Sequence, residues 1–243
     1  HRDLHSFPTR RSSDLAPSDL RLVAATANDR GQALSIEAQG RLHHVEFPLP
    51  GVFQAINALC AMGLAMASGI GLDQALQALA AMKGVRGRLE PVAALANGAR
   101  IYVDYAHKPG ALETVLATLR PHVSGRLVVL FGCGGDRDPG KRILMGRIAA
   151  AGADRVIVSD DNPRNEDPAS IRAEALAGCP DAEEIGDRGV AIAAAIDGLR
   201  AGDLLVIAGK GHETGQTVGD VTHPFDDAEV ARQAVAALQR RPS

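Results

Sequence analysis

From residue 101 onward, short apolar runs alternate with helix-like stretches, and this alternation constrains the fold more than any other feature of the chain. Residues 101–104 lead into a helix over 109–119, residues 127–131 into one over 142–151, and residues 155–158 into one that starts at Pro168. A further helix covers 189–199, residues 204–208 form a strand, a β-like piece lies near 216–218, and a last helix runs over 228–238 behind Asp226-Asp227. Each apolar run is too short for a helix and reads as a buried parallel strand. Strands alternating with helices predict a doubly wound α/β sheet. Such a sheet gathers strand-to-helix loops on one edge, here 104–109, 132–141, 159–168 and 209–215. Open α/β folds bind their ligands at that edge.

Those loops carry the polar chemistry. In Asp161-Asn162-Pro163-Arg164, Pro163 stiffens the chain and biases Asn162 toward an extended backbone. Asp167 and Pro168 then form a helix N-cap and first position. Arg164 is the one cation in this acidic loop. Its planar fork suits a carboxylate or phosphate; the plainer alternative is a solvated pair with Asp160 or Glu166. The Gly-rich stretch 132–142 falls short of two phosphate-binding signatures. Arg137 stands where a dinucleotide fingerprint has a third Gly, and Arg142 where a P-loop has Ser or Thr. Its backbone N–H groups, with Arg137, Lys141 and Arg142, still point to an anionic ligand. Asp104 and His107 follow a strand directly and either hold ribose hydroxyls or phosphate, or simply open the helix at Pro109. Gly209-Lys210-Gly211-His212-Glu213 follows another strand. Its glycines admit a ligand close to the backbone, and Glu213 can take up an ammonium. Cys133 has no base placed beside it by sequence and is not read as a nucleophile.

The chain before residue 101 reads differently. Strand-like segments 20–25, 33–37 and 42–47, punctuated by Asp29-Arg30-Gly31 and Gln39-Gly40, predict a small antiparallel meander. His43 and His44 are adjacent in a strand and point to opposite faces, so they cannot easily share a metal. Pro50-Gly51 opens a long helix through Ser68, and Asp73 is expected to cap a second over 74–82. A basic, Gly-flexed connector at 84–90 is a hinge, a phosphate contact or a plain linker, and residues 90–103 form a hairpin across Asn97-Gly98.

Composition excludes several classes. A chain of 243 residues, 46% hydrophobic and of net charge -3, fits one large or two modest soluble domains. No apolar run reaches the roughly 18 residues of a membrane span. A slightly acidic balance with 3% aromatic residues and no Trp argues against a nucleic-acid binder. Cys60, Cys133 and Cys179 show neither zinc nor redox spacing, and a reducing cytoplasm is expected. Residues 1–15 are rich in Arg and Ser and lack an apolar core, so a signal peptide is not expected. They resemble a translated sequencing adapter or cloning scar, with the natural chain beginning further upstream.

Taken in order and spacing, VDYAH at 103–107, FGCGGDRDPGKR at 131–142, DDNPR at 160–164 and AGKGHE at 208–213 closely resemble the Mur ligases of peptidoglycan synthesis. The resemblance covers about residues 16 to 240. It implies that 16–90 is the C-terminal part of a central ATP-binding domain and 91–243 a Rossmann-like, amino-acid-binding C-terminal domain. The implied reaction uses ATP and Mg2+ to join meso-diaminopimelate to UDP-N-acetylmuramoyl-L-alanyl-D-glutamate through an acyl phosphate. By the same resemblance, Arg137, Asp161, Asn162, Arg164, Gly209 and Glu213 bind meso-diaminopimelate. Arg164 meets a carboxylate and Glu213 an ammonium. Lysine-adding relatives replace this Arg, because lysine has no distal carboxylate to receive it.

Asn57, Arg88, Asp104 and His107 fall at positions that contact ATP in the family, although Gln54 occupies a place often held by Asn. No residue is assigned to catalysis or to a metal. The sequence contains no G-x-x-G-K-[ST] motif, and the chain is therefore expected not to ligate by itself. A non-catalytic amino-acid- or nucleotide-binding module is the rival reading. A folylpolyglutamate-synthase-like ligase shares the architecture but is not expected to carry the DNPR loop.

Overall fold

A computed structural model describes residues 20–28 and 30–240; the stretch 1–15 and Asp29 lie outside the described residues. The chain divides into two compact units between Met82 and Lys83. The division precedes the boundary expected near residue 90 because the connector is built into the second unit. There Leu89 is 1% exposed, and a Cβ on Gly87 would sit 2.2 Å from the His212 nitrogen.

The first unit is an antiparallel meander, β1 (Leu20–Asn28), β2 (Gly31–Ala38) and β3 (Arg41–Phe47), followed by α1 (Val52–Ala67) and α2 (Leu72–Ala80). Alternate residues of β2 face inward, so Leu34 and Ile36 pack with Phe47, Ala55, Met62 and Leu79. This period of two is what a sheet covered on one face requires. Asp73 does not cap α2 as expected. Gly71 holds the N-cap position and Asp73 lies in the first turn, where a carboxylate still suits the positive end of the helix dipole.

The second unit carries β4 (Glu90–Ala94), β5 (Arg100–Asp104), α3 (Pro109–Leu119), β6 (Leu127–Phe131), α4 (Gly140–Gly152), β7 (Arg155–Val158), α5 (Pro168–Leu176), β8 (Glu183–Glu184), α6 (Arg188–Asp197) and β9 (Leu204–Ala208). A hairpin of β10 (Gly215–Val218) and β11 (Val221–Pro224) precedes α7 (Asp227–Gln239). The main sheet has the order β4-β5-β9-β6-β7-β8, parallel except for β4 against β5.

Every residue of β6 and β9 is buried, and successive residues serve opposite cores. Val129 and Phe131 pack toward α3, α4 and α5, whereas Val128 and Leu130 pack toward α6 and α7. Two covered faces explain the unbroken apolar runs. Strands β5, β6 and β7 send their following helices to one face, while β9 leads to α7 on the other. The crevice at this reversal lies at the carboxyl ends of the strands, as doubly wound sheets dictate. Among the described residues no helix is long and apolar enough to cross a membrane.

Candidate functional site

The loops after β5, β6, β7 and β9 surround a cavity of about 510 Å³. Close backbone packing sets its floor. A Cβ on Gly132 would lie 2.4 Å from the Ser159 carbonyl oxygen, and one on Gly135 would lie 1.9 Å from that of Pro163. Only glycine therefore lets the β6 loop lie flat on the β7 loop, a contact sealed by Gly135 N–H donating to the Asn162 carbonyl at 2.9 Å. Downstream, Asp167 caps α5 as expected, accepting from the Ala169 and Ser170 amides.

Arg137, Asp161, Asn162, Arg164, Gly209 and Glu213, drawn from three loops, all line this one cavity. Arg164 adopts a left-handed backbone (φ 51) and is gripped on both sides by the β10 strand region. Its N–H donates to Thr217 and its carbonyl accepts from Gly219. The guanidinium donates to the Gly135 carbonyl at 2.8 Å. Neither carboxylate named as its plain partner is available. Asp160 pairs with Arg172, and Glu166 pairs with Arg142. Among the described residues no carboxylate forms an ion pair with Arg164 or Arg137.

Also lining the cavity, Glu213 accepts through Oε2 from Asn162 Nδ2 at 2.9 Å and from Lys210 Nζ at 3.3 Å. Lys210 is completely buried and also donates to Asn162 Oδ1 at 3.0 Å. Gly209 (φ 121) brings its backbone against Asp161, whose Oδ2 would lie 2.8 Å from a Cβ there. The cavity wall thus offers the guanidinium groups of Arg137 and Arg164, without carboxylate partners among the described residues, beside the carboxylates of Asp138, Asp161 and Glu213, a set that suits a ligand bearing charges of both signs.

The residues matched to ATP contacts are spread more widely. His107 lines the same cavity, and Lys141, also on its wall, donates to the His107 carbonyl at 2.9 Å. Arg88 lies over the Tyr105 ring at 4.7 Å, a cation–π contact. Asp104 is buried, and its oxygens accept from the amides of Leu89 and Ala106, both at 2.8 Å. Burial pushes its carboxyl up against those two bonds and the Arg88 charge. Asn57 is exposed on α1 of the first unit, one turn after Gln54.

Arg142 corrects the sequence reading. Its side chain is 1% exposed and bridges Glu166 and Glu174, so it faces no ligand. That bridge draws the Glu166 carboxyl down, first through the Arg142 hydrogen bond. Burial pushes the Cys133 thiol up to about 11, which keeps it a thiol near neutrality and leaves it no nucleophilic role. Sequence reasoning missed Lys210; a lysine between two glycines at a strand end was its only signal.

Known proteins with the same organisation give this geometry a context. The family model for the Mur ligase, glutamate ligase domain matches residues 87–211. A UDP-N-acetylmuramoyl-L-alanyl-D-glutamate--2,6-diaminopimelate ligase of Caulobacter vibrioides is 54% identical over 219 residues, 90% of this chain and 45% of that one. The Bradyrhizobium diazoefficiens protein of the same name is 49% identical over 236 residues, 97% of this chain and 48% of its own. The chain thus spans about half the length of the curated relatives it matches. A solved structure of a ligase of that name superposes with TM-score 0.75 at 37% identity, over 94% of this chain and 47% of that one. A folylpolyglutamate synthase from Thermotoga maritima, at 22% identity and TM-score 0.61 over 78% of this chain and 43% of its own, shares the fold.

Proposed function

The chain belongs to the Mur ligase family, and from that membership we propose that its second unit holds meso-diaminopimelate for ATP-dependent ligation to UDP-N-acetylmuramoyl-L-alanyl-D-glutamate in the cytoplasm. In this reading residues 16–90 correspond to the end of a central ATP-binding domain and 91–243 to the amino-acid-binding domain. The observation that carries the proposal is Arg164, a guanidinium on the cavity wall with no carboxylate of its own among the described residues.

ATP with Mg2+ supplies the activation, turning the D-glutamyl γ-carboxylate into an acyl phosphate. The neutral amine at the L-centre of diaminopimelate attacks the acyl carbon, a C–N bond forms, the C–O bond to phosphate breaks, and phosphate leaves, taking up the proton that the nitrogen loses as it becomes an amide. The protein's part is positioning. Arg164 receives the distal carboxylate and Arg137 the one beside the attacking amine. Glu213 receives the distal ammonium, because the attacking nitrogen must be unprotonated. His107, Lys141 and Arg88 supply charge and hydrogen bonds toward phosphate oxygens. The chain has no P-loop of the G-x-x-G-K-[ST] form, so the role proposed for it is to present the amino acid.

Calorimetry on the 243-residue chain with meso-diaminopimelate and L-lysine tests the assignment. The diacid should bind about 100-fold more tightly, as expected where the wrong ligand leaves a charge unpaired. Arg164→Gln should remove most of that preference and leave lysine binding nearly unchanged. Tighter binding of lysine by the unaltered chain would refute the proposal.

A further inference from the structure

We infer that Lys210 is a positioning residue for ligand selectivity, acting on the ammonium end of the ligand through Glu213 without touching the ligand. The inference rests on the diaminopimelate reading and deepens it.

Lys210 is 0% exposed, at the end of a strand that is itself buried throughout. An ammonium in that position needs acceptors, and the structure supplies Asn162 Oδ1 at 3.0 Å and Glu213 Oε2 at 3.3 Å. Asn162 Oδ1 also accepts from Thr217 N–H at 3.0 Å. Two donors therefore fix the carbonyl end of the Asn162 amide. Its NH2 is consequently directed at Glu213, reaching Oε2 at 2.9 Å. Both internal donors thus converge on the same Glu213 oxygen. Among the described residues Oε1 carries no hydrogen bond, and Glu213 lines the cavity. One carboxylate oxygen anchors the side chain inward while the other remains for a ligand's ammonium. A neutral apolar residue at 210 would remove one of the two donors on Asn162 Oδ1 and one of the two on Glu213 Oε2, leaving the Glu213 carboxylate held by Asn162 alone and looser toward solvent.

The test compares two ligands on one variant. L-2-aminopimelate keeps the L-centre and the distal carboxylate of meso-diaminopimelate but lacks the distal ammonium. In Lys210→Met, affinity for meso-diaminopimelate should fall by about tenfold or more, in the range of coupling between contacting groups. Affinity for L-2-aminopimelate should change by less than about threefold. Any loss of folded material lowers both apparent affinities alike and cancels in their ratio; Lys210→Gln is read in the same way if the Met variant does not fold. An equal loss for both ligands makes Lys210 purely structural and overturns the inference, as does no loss for either. If the unaltered chain binds the two ligands equally, the Glu213 assignment fails first, and a ratio measured in the variant is not needed to see it.

Discussion

At the scale of single residues, the site depends on which charges are internally paired. Arg142 and Arg188 are both 1% exposed, yet each is consumed by the scaffold. Arg142 holds Glu166 and Glu174, whereas Arg188 pairs with Asp227 and donates to the Ala208 carbonyl. Arg137 and Arg164 have only carbonyl partners and keep their charge for something else. Lys210 falls between these groups, buried like the first and coupled to the cavity like the second. Its dependence on Glu213 gives a stability prediction. Glu213→Ala removes the one carboxylate that, among the described residues, pairs with this fully buried ammonium and should cost about 1–3 kcal/mol, less than a fully buried pair because the Glu213 side chain is 36% exposed. Adding Lys210→Met should recover part of that loss, since no charge is then stranded. Urea unfolding of the two variants checks the order; a double variant no more stable than Glu213→Ala would mean the ammonium carries no burden.

At the scale of elements, the two edges of the main sheet do different work. The carboxyl edge holds the ligand loops, while the amino edge is tied by carboxylates to strand starts. Asp203 accepts from the Arg126 and Arg200 amides and from the Arg126 guanidinium, fixing the entry of β6 and β9. Asp154 binds the Leu127 amide and Arg120, and Glu183 pairs with Arg155. Burial works to raise the Asp203 carboxyl, but the Arg126 bonds outweigh it and its folded value is lowered. A carboxyl depressed in the folded state contributes stability above its unfolded value near pH 4 and loses it as pH falls through the folded value. Asp203→Asn should therefore cost about 1–3 kcal/mol at pH 7. The gap to the unaltered chain should close as pH drops below about 4. Melting midpoints across that range provide the check; a gap independent of pH would remove the charge from the explanation. These tertiary ties were the part hidden from sequence. Strand and helix periods made the sheet, its loop edge and the convergence of Arg137, Arg164 and Glu213 legible, because topology alone decides which loops share an edge. Period says nothing about which arginine turns inward. Arg142 does so only because Glu166 and Glu174 wait for it in a helix and loop that follow later in the chain. The grip of β10 on Arg164 was hidden for the same reason, since short polar strands carry little pattern.

At the scale of the whole molecule, the division after Met82 separates two kinds of core. The first unit closes one face of a three-stranded meander with two helices. The second covers both faces of a six-stranded sheet and contains every residue that lines the candidate cavity. Its two apolar clusters are complete within residues 83–240, and the connector is part of it through Leu89, whose amide is held by Asp104. A segment that owns its core and its backbone partners has what a domain needs to fold alone. Residues 83–243 produced without the first unit should therefore unfold in one cooperative transition and bind meso-diaminopimelate within about threefold of the full chain, since every residue that lines the cavity lies within that segment. Starting the segment at residue 91 instead removes Leu89 and strips Asp104 of one of its two amide partners. That shorter segment should melt lower by several degrees, because a buried carboxylate then lacks a donor. Calorimetric melting and ligand titration of both segments separate the possibilities. Equal stability would place the connector outside the folding unit, whereas loss of binding by residues 83–243 would mean that the clasp needs residues of the first unit.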